Sequence, residues 1–390
     1  MHPKNFKLEL IKKKTIELAL VSSVHGIPNI FRSKTNLMKI FWAVFYFTFT
    51  SIGIYTVILI VLNYLNFEKV TNIEIKYDKI IKFPAVTFSI LKNQLIKYPL
   101  ELVLNRCVFN NAACNENDFD VIQDKFGYVS YRFKPKNVTL TGAGQGLKVN
   151  MDTSKIKEMK NIKYLGLRII IHNHNNDPEF YTGGSNKNIN IPNGFYTDIN
   201  IRRIFVEKLG QPYNDCLKDV KSIESFDSDL YRYVLQSTAY AYRQKDCVNL
   251  CLGREYYKFL NTTSNKIDHL FNSLNEMNYT LSSEFYKIYD TLVSNVCLPL
   301  CPLECDSMDY DLSLSMMKFL NNNNESMTGF NAYYYDSTYT FISELEKFGC
   351  LDLISGIGGN MGLFIGASFL SFVEFIEYLV EIFFILFYKK

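Results

Sequence analysis

A chain of 390 residues with 48% hydrophobic and 15% aromatic side chains can bury a large core, and its length suggests two or three domain-sized units. The formal net charge of +3 sums a basic amino-terminal segment and a mixed remainder, so it gives no ground for a nucleic-acid partner.

The first 39 residues hold Lys4, Lys7, Lys12, Lys13, Lys14, Arg32, Lys34 and Lys39. Within them His25 and Gly26 follow two serines, which read alone as a loop. Residues 40–65, "IFWAVFYFTFTSIGIYTVILIVLNYL", carry no charge. At about 1.5 Å per residue they exceed the roughly 30 Å of a bilayer core, so they are expected to span it. A cleaved signal peptide is the alternative, but the run is too long, starts too late and lacks a small-residue cleavage site.

Beyond it, "KVTNIEIKYDKIIKFPAVTFSI" alternates β-branched and polar residues and reads as a strand. "YVSYRFKP", "GLKVNMD", "YLGLRIIIH" and "FYTDINIRRIFVEKL" follow as strand candidates, punctuated by Gly, Pro and Asn turns. From Tyr213 the apolar spacing lengthens to three and four, which predicts a helical subdomain. A second apolar stretch, 351–388, closes the pattern, and Lys389 and Lys390 follow it.

Basic residues outside both apolar stretches predict cytosolic termini and an extracellular middle, 66–350. Four acceptor sequons, at Asn137, Asn261, Asn278 and Asn324, agree with that side, as do eight of the nine cysteines falling between 107 and 305. Closely spaced Cys doublets with histidines are missing, so cytosolic zinc binding is disfavoured, and no cofactor or metal beyond a permeating ion is expected.

The second stretch carries Glu374, Glu377 and Glu381. On a helix they fall at about 0°, 300° and 340°, on one face. A charge facing lipid costs at least about 2.5 kcal/mol, so the stripe should face water or a partner helix. Two spans cannot enclose a pore, so several copies are expected around one, with the carboxylates attracting cations. Snorkelling to the cytosolic interface is the simpler account for Glu377 and Glu381 and is weakest for Glu374. Upstream, "GGNMGLFIGAS" sets Gly358, Gly359, Gly362, Gly366, Ala367 and Ser368 in the membrane. Such small residues either let helices approach closely or let one break where it lines a cavity, and spacing does not choose between these.

"GIGGNMGLFIGASFLSFVEFIEY" resembles the second span of degenerin, epithelial sodium and acid-sensing channels. "HGIPNI", "FPAVT", "CVFNNAAC", "IH" at 171–172, "QPYNDC" and "CPLEC" occur in the order of that superfamily and cover nearly the whole chain. The resemblance implies a membrane protein with two transmembrane helices, at 40–65 and 351–388, bracketing a large disulfide-rich α/β extracellular domain. It implies a homo- or heterotrimer with related subunits, conducting sodium, with no enzymatic activity. It places a shortened finger at about 88–130, a sheet core at about 68–87, 128–210 and 306–345, and a helical thumb at about 213–305.

Residue by residue, the resemblance implies a selectivity motif at Gly366, Ala367 and Ser368, a carboxylate pair at Glu374 and Glu377, and an upper pore face of Gly356, Gly359 and Leu363. His25 and Gly26 match the cytosolic gating motif, and Phe67 with Tyr213 match the aromatic pair coupling ectodomain to membrane. A nested thumb ladder would pair Cys216 with Cys305, Cys247 with Cys301 and Cys251 with Cys297, besides Cys107 with Cys114, leaving Cys350 free.

The chain also departs from the family pattern. Ser89 and Val129 stand where acid-sensing relatives have a cysteine pair, and the short stretch from Ser89 to Cys107 leaves little room for a helical finger. Since the finger supplies much of the acidic pocket in those relatives, the resemblance carries no proton-sensing carboxylates onto this chain. Gly356 replaces an outer Asp, and Ser355 occupies the site where a bulky side chain holds degenerins open. The resulting expectation is a ligand-gated, amiloride-sensitive sodium channel of the plasma membrane, with a neuropeptide favoured over a proton as the extracellular ligand. A non-conducting or obligate partner subunit is the alternative. A purinergic-type trimer has no place for "FPAVT" or "GAS", and an ectoenzyme has no nucleophile elbow, zinc motif or phosphate loop to stand on.

Overall fold

The computed structural model describes residues 3–92, 100–123, 129–154, 165–174, 188–237, 241–259, 289–319 and 326–387. It divides into two compact units, Met1–Val70 with Leu345–Lys390, and Thr71–Glu344. In chain order the main helices are α1 (Pro3–Val21), α2 (Ile27–Arg32), α3 (Asn36–Leu65), α4 (Asp229–Ser237), α5 (Gln244–Phe259), α6 (Cys350–Ile365) and α7 (Phe369–Phe387). The strands are β1 (Lys69–Tyr77), β2 (Ile81–Lys82), β3 (Ala85–Lys92), β4 (Leu104–Phe109), β5 (Ala112–Ala113), β6 (Phe119–Gln123), β7 (Val129–Phe133), β8 (Asn137–Val138), β9 (Leu147–Asp152), β10 (Leu165–His172), β11 (Ile189–Pro192), β12 (Phe195–Glu207), β13 (Cys216–Leu217), β14 (Leu303–Glu304), β15 (Asp306–Lys318) and β16 (Met327–Glu346).

The first unit is helical. Thr35 caps α3, its hydroxyl accepting the Met38 N–H at 3.4 Å, and the 30-residue helix carries no charge after Lys39. Among the described residues α3 is the helix long and apolar enough to cross a membrane. The stretch expected as a second span at 351–388 is not one helix. It divides into α6, of 16 residues, and α7, of 19, with a non-helical step at residues 366–368 between them. Helices α1 and α2 flank the His25–Gly26 loop, an arrangement the basic amino-terminal composition does not announce.

The second unit holds two large sheets. One has seven strands, in the order β15-β12-β16-β9-β4-β5, with β1 also paired to β16. The other has five, β11-β10-β3-β7-β6. The alternation read from "GLKVNMD" and "FYTDINIRRIFVEKL" gives β9 and β12, whose inward residues include Leu147, Val149, Met151, Ile199 and Ile201. β10 is buried along nearly its whole length, as a strand covered on both faces must be. What reads as one strand after the first span is three, β1 to β3, and the break between β2 and β3 falls at Pro84, which lacks the N–H a continuous ladder needs.

Aromatic rings fill the core. Phe83 meets Phe109 and Tyr334 at 5.1 and 5.8 Å, and Phe88 meets Phe330 at 5.6 Å. Residues assigned from sequence to a shortened finger supply β4 and β5 to the seven-stranded sheet, with Cys107 and Phe109 buried. A second core lies between α4 and α5, where Leu230, Tyr231, Val234 and Tyr242 pack beside the buried Cys247, Cys251, Cys297 and Cys301.

Candidate functional site

The break in the second apolar stretch follows from one residue. Gly366 takes φ of 65°, the left-handed region that glycine enters without a Cβ penalty, and its N–H still reaches the Gly362 carbonyl at 3.0 Å. A Cβ there would also sit 2.0 Å from His25 Nδ1. The His25 N–H in turn donates to the Ile365 carbonyl at 2.9 Å, so the His-Gly loop docks on the last turn of α6. Ala367 donates to the Met361 carbonyl at 3.2 Å. Ser368 opens α7, where Ser371 Oγ accepts its N–H at 3.0 Å, the returning half of a capping box.

Below the break, Glu374 Oε2 accepts the Ser23 N–H at 3.2 Å and the Ser23 hydroxyl at 3.1 Å. Ser23 Oγ and Ser371 Oγ lie 2.6 Å apart. One turn further down α7, Tyr378 Oη meets Thr15 Oγ1 at 2.7 Å, and two turns down Glu381 pairs with Lys14 at 3.3 Å. Glu374 and Glu381 thus lie against the amino-terminal segment, and Glu377 is exposed.

Along α6, a Cβ on Gly356 would meet the Ile60 side chain of α3 at 3.3 Å, and one on Gly53 of α3 would meet Phe364 at 3.3 Å. These notches let the two helices approach closely. Gly359 opens to free space, and Ser355 and Leu363 are exposed. Gly356 thus packs against α3, while an added Cβ at Gly359, one turn on, would meet nothing within 4 Å. The small residues here serve both purposes that the spacing leaves open, close packing at Gly356 and a break at Gly366.

Phe67, just after α3, has φ of 48°, a conformation bulky residues rarely hold, and its ring lies 6.3 Å from that of Tyr64. Tyr213 lies in the other unit, in a turn after the cis Gln211–Pro212 peptide. Glu344 of β16 holds that turn, accepting from the Leu209 N–H at 3.1 Å and from Asn214 Nδ2 at 2.6 Å. Cys107–Cys114, Cys216–Cys305, Cys247–Cys301 and Cys251–Cys297 are disulfides, and Cys350 is free and exposed. Asn137 is exposed, while Asn261, Asn278 and Asn324 lie outside the described residues. His172 is buried, accepting from Thr87 Oγ1 at Nε2 (2.8 Å) and donating from Nδ1 to the Asn173 carbonyl (2.9 Å). Burial, opposed by that bond, pulls its pKa down to about 4.

The contacts of Ser23, Thr15 and Lys14 with α7 escape a reading of the sequence. A run of serines before His-Gly and a Thr-Lys pair in a polar helix offer no periodic signal, and their partners lie more than 340 residues away.

The model for the family described as "Amiloride-sensitive sodium channel" matches residues 19–88 and 89–378. The bile acid-sensitive ion channel of Homo sapiens is 21% identical over a 455-residue alignment covering 94% of this chain and 86% of that one. The epithelial sodium channel subunit beta of Neoceratodus forsteri is 24% identical over 313 residues, 70% of this chain and 46% of the relative. Acid-sensing ion channel 4-B of Danio rerio is 21% identical over 316 residues, 73% and 53% respectively. The chain belongs to the amiloride-sensitive sodium channel family, within the degenerin/epithelial sodium channel superfamily of plasma-membrane ion channels, which are not enzymes.

Proposed function

We propose that this chain is a subunit of a ligand-gated, sodium-selective, amiloride-sensitive channel that crosses the plasma membrane twice, with both termini cytosolic and related subunits completing a trimer. One observation carries the reading: within a chain of this family, an apolar stretch breaks at Gly366–Ser368 and places Glu374 and Glu377 just beyond the break. A break of this kind frees backbone carbonyls, and a ring of carboxylates below it concentrates cations. α3 and the α6–α7 pair are the two spans, with the break inside the second.

Gly366, Ala367 and Ser368 form the filter, Gly356, Gly359, Leu363, Glu374 and Glu377 line the conduction path, and Ser355 marks the gate. The ligand is extracellular, and a peptide is favoured over a proton because the stretch from Ser89 to Cys107 is too short for the finger that supplies much of the acidic pocket in acid-sensing relatives.

Voltage-clamp of cells expressing the chain alone tests this, with a pH drop, amidated neuropeptides and a bile acid applied in turn, the last because a relative covering most of the chain is named for that sensitivity. An amiloride-blockable current abolished by sodium replacement is the expected outcome. Surface protein that stays silent alone but alters the current of a co-expressed relative selects the partner-subunit reading instead.

A further inference from the structure

Ser22 and Ser23 stand side by side, yet they do different things. Ser22 closes its own turn, its N–H donating to the Leu18 carbonyl at 2.7 Å and its Oγ accepting the Val24 N–H at 3.2 Å. Those are the local bonds a serine at a helix end ordinarily makes. Ser23 instead turns its N–H and its hydroxyl to α7, where both reach Glu374.

The direction of each proton follows from the acceptors. Ionised, Glu374 can only accept, so the single Ser23 hydroxyl proton goes to it. Ser371 must then donate its own proton to Ser23 Oγ across 2.6 Å, while its lone pairs receive the Ser368 N–H at 3.0 Å. The bonds form one directed chain from the Ser368 backbone through Ser371 and Ser23 to the carboxylate. Two residues on, His25 donates to Ile365 at the other side of the break. Both bonds from Ser23 land on Oε2, and among the described residues Oε1 takes no hydrogen bond.

We infer that Ser23 is a positioning residue for cation selection: it fixes the rotamer of Glu374 and couples that rotamer to the break at Gly366–Ser368. The inference rests on the reading of Glu374 as part of a sodium path. Charge-assisted bonds to one carboxylate oxygen restrict the side chain far more than a neutral contact would.

The test is the sodium-to-potassium permeability ratio from bi-ionic reversal potentials, measured in Ser23→Ala, Ser23→Thr, Glu374→Gln and the Ser23→Ala/Glu374→Gln double variant, each with surface protein quantified. Ser23→Ala should lower the ratio by roughly three- to tenfold, since a bond to a charged group is lost. Ser23→Thr, which keeps both donors, should retain it. The double variant should be no worse than Glu374→Gln alone, because the two residues act as one unit. A ratio lowered by Glu374→Gln but untouched by Ser23→Ala would overturn the inference and leave the channel reading standing. If Glu374→Gln itself changes nothing, the placement of Glu374 fails, and the inference falls with it. Should the chain be silent alone, peptide mapping after mild oxidation of a Ser23→Cys/Ser371→Cys variant in membranes decides the geometry. A 23–371 disulfide that Ser22→Cys/Ser371→Cys does not form supports it; alkylatable thiols at both positions 23 and 371 sink it.

Discussion

In the Thr71–Glu344 unit Phe88, Phe133 and Phe330 are wholly buried, whereas in the helical unit Leu363 and Phe369 are 79% and 81% exposed. Under the proposed topology the contrast is one of solvent. Water expels apolar rings, so the ectodomain can fix its strands by burial alone. Hydrocarbon is as apolar as leucine and expels nothing, so helices within it are placed by close packing and by polar bonds. The informative residues accordingly change type. In the first case they are Phe83, Phe88 and Tyr334; in the second they are Gly53, Gly356, Gly366, Ser23 and Ser371.

The sharpest way to break this comparison is to put a side chain where the helical unit has none. Gly366→Val would force a β-branched residue into φ of 65° and push its Cβ against His25. Current should fall to background with surface protein retained. Gly358→Ala, where an added Cβ meets nothing within 4 Å, is the control and should conduct. Wild-type current from Gly366→Val would mean that the break does not matter.

The counterpart in the ectodomain is Phe88→Ala, a cavity in a fully buried aromatic cluster. A loss of about 3–5 kcal/mol is expected. For a unit of this size that lowers the apparent melting midpoint of the solubilised chain by roughly 10 °C. An unchanged midpoint would show that burial is not what holds the sheets together.

The same contrast decides how much of the molecule is legible in the sequence. The first span is legible because a charge-free run needs no partner to be recognised, and Glu374 stands out because the 3.6-residue period puts it on a face with Glu377 and Glu381. Strands β9, β10 and β12 show in period-two alternation, or in its absence where both faces are covered. Joining β4 to the seven-stranded sheet is not legible, since "LNRCVF" would suit an edge in either sheet and its neighbour β9 follows only after four intervening strands, β5 to β8. Nor is the Ser23–Glu374 pair, because a serine hydroxyl accepts nearly any partner and its spacing from Glu374 encodes no period. Glycine roles divide on contacts that spacing does not contain, Ile60 for Gly356 and His25 for Gly366.

A buried ionisable group sharpens the comparison from the ectodomain side. His172 titrates near 4 in the fold against an ordinary 6.5, so the unfolded chain binds the extra proton first. Its contribution is whole above pH 6.5, is lost as pH falls from 6.5 to about 4, and is constant below that. The shift corresponds to ~3 kcal/mol. His174, also lowered by burial, adds with the same sign. His172→Gln should flatten the acid-side decline in stability measured by denaturation at pH 7 and pH 4. An identical decline in the variant would place the acid-sensitive group elsewhere.

The smallest expected effect lies at the far end of α7. Lys14 and Glu381 face each other at 3.3 Å, but their side chains are 38% and 43% exposed, and a pair so well solvated contributes little. Lys14 also has Glu17 at 3.3 Å, so losing one partner leaves it another. Hydrogen bonds to Glu381 and then Glu17 raise the Lys14 pKa from an ordinary value that already leaves it cationic. Lys14→Gln should therefore change current amplitude by less than about threefold and leave the reversal potential alone. The charge swap Lys14→Glu/Glu381→Lys should restore most of any loss, provided Glu17 does not repel the new acid at position 14. A large shift in reversal potential from Lys14→Gln would mean that the lower end of α7 selects ions as well. In that case the polar bonds of the helical unit would form one extended device, running from Lys14 up to the break, rather than a local lock at Ser23.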